Sequence, residues 1–153
     1  MRTELLADLP EREARGIEAL GVWQPLTSGQ VLFELGSVAD RLYVVQRGRI
    51  SLTLPMTVGG RPRDVLVEER GPGQTVGWSA LIPPHKFTLK AAAPLDSEVL
   101  AIPRLALEAH LEADPVVGYH VARNVAAVVG QRLQVMQAMW LREMQRLVSL
   151  TLT

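Results

Sequence analysis

The sequence predicts a mainly β protein with flanking helices: a jelly-roll barrel, or double-stranded β-helix, followed by one long C-terminal helix. Three observations predict it. Short apolar runs punctuated by glycine or proline succeed one another from Gly21 to Ile102, the pattern of sandwiches and barrels. Beyond Asp114-Pro115 the punctuation thins, and apolar residues recur at steps of three or four, the mark of a helix with one apolar face. The chain has 153 residues, 48% of them apolar and 21% charged, which suits one domain with its own core.

Asp8 and Pro10 open a short helix from about Pro10 to Leu20 that ends at Gly21; proline is tolerated there because the first amides of a helix have no partner within it. Val31-Leu32-Phe33 and Leu42-Tyr43-Val44-Val45 are strands. Gln46-Arg47-Gly48-Arg49 reads as a turn, and Ile50 to Leu54, alternating with period two, as the hairpin partner of the strand before it. Val58-Gly59-Gly60-Arg61 is the next turn, leading into Asp64 to Glu69; Thr88 to Ala92 and Glu98 to Ile102 complete the series. The glycines supply positive φ at tight corners and require no ligand. Helix returns after Pro103, first as Arg104 to Ala113. Asp114 then caps, and Pro115 starts, a long helix from about Val116 to Leu150. The expected division is a roll with its N-terminal helix over residues 1–113 and a long helix of the same domain over 114–153.

On that helix Val125, Val129, Leu133, Met136, Trp140, Met144 and Leu147 form one stripe, widened by Val121, Val128, Val135 and Met139. Roughly 30 helical residues span about 45 Å, more than a small barrel covers. A second copy of the same helix is the simplest cover for the distal half, giving a homodimer with Val125, Val129, Leu133, Met136 and Trp140 at its interface. The alternative is that the helix folds back on its own barrel.

Composition excludes several functions. Sixteen basic residues balance sixteen acidic ones, leaving no global field to attract nucleic acid or a membrane surface. The absence of cysteine excludes disulfides, thiol catalysis and cysteine-ligated metal. His85, His110 and His120 lack metal-site spacing, and no nucleophile-elbow or phosphate-binding glycine-loop motif is present. The acidic opening MRTELLADLPERE is unlike a signal peptide. A cytoplasmic protein without enzymatic activity, metal or obligatory cofactor is expected.

Leu26 to Gly36 (LTSGQVLFELG), Ala39 to Gly48 (ADRLYVVQRG), Gly71 to Gly73 (GPG) and Glu98 to Ile102 (EVLAI) occur in an order that resembles the cyclic-nucleotide-binding domains. These are the sensor halves of catabolite-activator-like (Crp-Fnr-like) transcription factors and of protein-kinase regulatory subunits. The resemblance runs from about Leu5 to Leu133. It implies that the ligand cassette is Gly77 to Ala91, GWSALIPPHKFTLKA. In the family that segment reads Gly-Glu-Leu-Ala, then Arg-Ser/Thr-Ala. The glutamate accepts from the ribose hydroxyl, and the arginine grips the cyclic phosphate through a planar fork.

Here Gly77 and Ala80 match, Trp78 takes the glutamate position and Ser79 the leucine position. The arginine position falls on His85 or Lys86, after the Pro83-Pro84 pair. Losing a hydrogen bond to a charged group removes about 1.5–3 kcal/mol, and neither histidine nor lysine reproduces the fork. Tight binding in the family's manner is therefore not expected. An anion site remains feasible from the amides of Trp78, Ser79 and Ala80, the Ser79 hydroxyl, and His85, Lys86 or Lys90. Trp78 has two roles open to it: stacking on a base, or filling the vacated pocket.

The expected function is a non-catalytic sensing or regulatory module that dimerises, binds a cyclic nucleotide or other small anion weakly or atypically, and signals to a protein partner. The alternatives are a catabolite-activator-type transcription factor and a ligand-free interaction scaffold. Direct DNA binding is not expected, since the sequence carries no recognition helix after the long one.

Overall fold

The computed structural model describes residues 3–152 and resolves the chain into two antiparallel four-stranded sheets with helices at either end. Helix α1 is Glu11–Glu18. The strands are β1 Val22–Leu26, β2 Val31–Phe33, β3 Arg41–Arg47, β4 Ile50–Val58, β5 Arg61–Arg70, β6 Thr75–Val76, β7 Lys90–Ala92 and β8 Ser97–Pro103. Helices α2, Arg104–Ala113, and α3, Pro115–Leu152, close the chain. One sheet runs β1-β8-β3-β6 and the other β2-β7-β4-β5. This is the jelly-roll expected from the sequence.

The pairing differs from the expectation at one turn. Strands β3 and β4 are not a hairpin; they lie in different sheets. Gly48 carries the chain across, at φ +83°, where a Cβ would run into the Ser97 hydroxyl and come within 2.8 Å of the Asp96 carbonyl. The Ser97 hydroxyl replaces the missing ladder bonds: it accepts from the Arg49 amide at 3.0 Å and lies 3.1 Å from the Arg49 carbonyl. Among the eight strands, sequential pairing is confined to β4 and β5, joined at Gly59-Gly60 and paired from Ile50–Arg70 to Val58–Arg61 with a register shift between Leu52 and Thr53. The remaining pairs join distant segments, such as Trp23 with Leu100 and Val31 with Ala92.

The core lies between the sheets. Strand residues on both faces of the first sheet are buried, among them Leu42, Val44, Val45, Val76, Val99 and Ile102, with Ile50 and Leu52 from the second sheet and Ile17 and Leu107 from the helices. Asp114 caps α3 through its carboxylate, which accepts from the Val117 amide at 3.3 Å.

Helix α3 has 38 residues, so it extends about 57 Å. Its first third packs on the roll through Val117, Val121, Val125 and Val128. This corrects the proposed interface set: Val125 is 5% exposed and belongs to the chain's own core, and Val129 is partly buried against that core. Beyond residue 132 the roll falls away, and Leu133, Met136, Trp140, Leu141 and Leu147 are exposed.

An ion-pair chain ties this helix to the sheets. Arg132 on α3 donates from Nε to Glu68 Oε2 at 2.6 Å. The other Glu68 oxygen receives Arg70 at 2.9 Å, and Arg70 also meets Glu4 and donates to the Thr75 carbonyl. The N-terminal segment is held from the helix side as well, where the Asn124 amide donates to the carbonyls of Leu5 and Ala7.

Candidate functional site

The cassette segment follows β6 as a single 3-10 turn, Trp78–Leu81. Gly77 enters it at φ +81°, and a Cβ there would sit 3.0 Å from Phe87 Cε1 and 3.4 Å from Tyr43 Cδ2. Glycine is thus required twice over, by conformation and by crowding. Burial raises the Tyr43 pKa above its ordinary value, so this phenol stays neutral beside the site.

The structure separates the residues that the sequence groups together. The Ala80 amide is committed to the Gly77 carbonyl at 3.1 Å and its side chain is fully buried, which removes it from the anion set. The Pro83-Pro84 peptide is cis, and His85 follows at φ +57°. The His85 ring lies with Nδ1 3.3 Å from the Ser79 carbonyl, so it braces the turn instead of presenting a charge to a ligand. Lys86 is exposed, in a β-bridge opposite Val38. Lys90 pairs with Asp64 at 2.7 Å, a hydrogen bond that raises its pKa. None of these three lines the hollow beside the 3-10 turn.

That hollow holds about 10 Å³, room for about one water. Phe87 stacks on Phe33 with ring centroids 3.6 Å apart and planes 7° apart. Trp78 is partly buried and packs against the core. Ser79 is 5% exposed, and its hydroxyl has no hydrogen-bond partner among the described residues. The walls carry no carboxylate. The cation in the wall is Arg132, supplied by α3.

Sequence reasoning missed Arg132, which lies 54 positions after Trp78 and outside every cassette motif. One signal was available: Arg132 continues the run Val121, Val125, Val128 at a step of four, so a charge stands on the face turned to the roll.

Elsewhere, a hollow of about 920 Å³ opens along the N-terminal segment, with Glu4, Asp8 and Glu11 in its walls. An apolar groove of about 320 Å³ runs between Leu81, Ile82, Leu111, Val125 and Ala126. The acidic hollow repels anions, and the groove has no cation. Among the described residues no group of histidines and carboxylates is placed to hold a metal, and no helix is long and apolar enough to cross a membrane.

Comparison with known proteins agrees with the architecture. The model of the cyclic nucleotide-binding domain matches residues 23–114. The N-terminal domain of a transcriptional regulator from Streptomyces coelicolor A3(2) is 28% identical, with a TM-score of 0.71 over 85% of this chain and 91% of that one. The Thermus thermophilus catabolite activator protein is 25% identical, with a TM-score of 0.75 over 94% of this chain and 63% of that one. The regulatory domain of Toxoplasma gondii PKA, solved with cAMP, shares the fold at 20% identity and a TM-score of 0.60, over 70% of this chain and 40% of that one. No curated protein matches the sequence.

Proposed function

The chain belongs to the cyclic nucleotide-binding domain family, and from that premise we propose that it is a non-catalytic regulatory module of the cytoplasm. It works as a homodimer through the distal half of α3 and takes a cyclic nucleotide or similar small anion weakly and atypically. One observation carries this reading: the cassette hollow is reduced to about 10 Å³ between the turn, Phe87 and α3. A nucleotide cannot enter while α3 stays as it is. Any ligand that does enter must displace that helix or the rings beside it, and a ligand shifts an equilibrium by its unequal affinity for the two arrangements. Weak binding and strong coupling to α3 thus have one cause.

Backbone hydrogen exchange of α3 tests the sensing role. Cyclic AMP at millimolar concentration is expected to change protection across residues 125–136, where the helix passes the cassette. Unchanged protection there, and across the 3-10 turn, would remove sensing. A second reading, a ligand-free interaction scaffold, is favoured by the same closed hollow and by the stacking of Phe33 on Phe87; it predicts that unchanged result.

A further inference from the structure

We propose that Arg132 is the phosphate-binding residue of this site, and that Glu68 is the intramolecular anion it must leave to act. The inference rests on the sensing role above and names the group through which it operates. Cassette arginine is absent from the sequence, and the residues in its place turn away: His85 to the Ser79 carbonyl, Lys86 to the surface. The hollow nevertheless has an arginine in its wall, Arg132.

Two details argue that this guanidinium has capacity to spare. It holds Glu68 through Nε alone, and its two terminal nitrogens have no partner among the described residues. A guanidinium has five donors arranged as a fork that fits phosphate, so four remain unused. Ser79, whose hydroxyl makes no hydrogen bond among the described residues, lines the same hollow and adds a neutral donor.

The charge arrangement makes Arg132 the releasable member of its chain. Glu68 is shared with Arg70, which is itself paired with Glu4. When Arg132 departs, Glu68 keeps Arg70 and is not left as a bare buried charge, which would be costly. Glu68 stands on β5 and is fixed by that second arginine, whereas Arg132 rides on α3. The hollow has no room for a phosphate, so admitting one requires α3 to move outward, and that movement stretches the Arg132–Glu68 bond. Phosphate and Glu68 therefore compete for one cation, and the competition is felt along the helix.

The test is calorimetric titration of the full chain and its Arg132→Ala, Arg132→Lys and Glu68→Gln variants, with native folding checked by circular dichroism. The probes are cyclic AMP, inorganic phosphate and, as a control without phosphate, adenosine. Arg132→Ala is expected to weaken cyclic AMP at least tenfold and leave adenosine unchanged. Arg132→Lys retains charge without the fork and falls between. Glu68→Gln removes the competitor and is expected to tighten cyclic AMP about threefold or more; inorganic phosphate follows the same order if the contact is to phosphate alone. Equal cyclic AMP affinity in wild type and Arg132→Ala overturns this inference and leaves the sensing role standing. Weaker binding in Glu68→Gln overturns the competition, since it makes Glu68 a support for Arg132. A wild-type chain that takes none of the probes at millimolar concentration overturns the sensing role and this inference together.

Discussion

Arg70→Ala is expected to destabilise the fold by about 3 kcal/mol, the lower end of the range for breaking a buried ion pair. The Arg70 side chain is 3% exposed and serves three partners at once: Glu4 on the N-terminal segment, Glu68 on β5, and the carbonyl of Thr75 on β6. Removing it leaves two carboxylates facing a void. Each keeps one partner, Glu68 through Arg132 and Glu4 through the Thr75 amide at 2.6 Å, which is why the loss does not reach the upper end of the range. For a domain of this size that loss lowers Tm by about 6–12 °C. Thermal unfolding followed by circular dichroism measures it. A shift under about 2 °C would mean that the network is decorative.

Leu133→Glu combined with Trp140→Glu is expected to convert a dimer into a monomer. Leu133 is 57% exposed and Trp140 64% exposed; they lie seven residues apart, and Met136 falls between them. That spacing is one heptad, the repeat that keeps a seam facing a second helix. A buried tryptophan at an interface commonly contributes 2 kcal/mol or more, and a two-fold interface doubles every substitution. The pair should weaken association about a thousandfold, close to 4 kcal/mol. Sedimentation velocity across a concentration series reads this directly. A wild-type chain that sediments as a monomer at about 100 μM, where any association tighter than −8.2 kcal/mol would be complete, would contradict the interface, and the variant would then change nothing.

How much of this was legible in the sequence depends on whether the signal was local. Most strand positions were legible because they are short apolar runs set off by nearby glycine or proline; Val22–Leu26 was not among them. Thus Val31-Leu32-Phe33 became β2, and Arg104 to Ala113 became α2 with the same bounds. Partners were not legible. Period-two alternation shows that Ile50 to Leu54 is a strand, but nothing in it says that the chain has crossed to the opposite sheet at Gly48. Only contact with Ser97, 49 residues away, makes that corner. The two-residue strand Thr75–Val76 was too short to leave a pattern at all.

The same distinction divides the site. The loss of the carboxylate at Trp78 is a local substitution and can be seen by position. Arg132 is a distant contribution, brought to the turn by the packing of α3, and a lone arginine on a helix otherwise resembles a solvated one. Val125 shows the converse error. A continuous apolar stripe does not reveal where one partner ends and another begins, so a residue from the chain's own core was grouped with the interface.

Isothermal titration of cyclic AMP and cyclic GMP into the unmodified protein tests most directly whether the family's nucleotide grip has been lost. With Trp78 in place of the acid, Arg132 engaged by Glu68 and a hollow of about 10 Å³, dissociation constants of about 100 μM or weaker are expected, the missing carboxylate alone removing about 1.5–3 kcal/mol. A dissociation constant below about 1 μM, −8.2 kcal/mol of binding, for either nucleotide would contradict it.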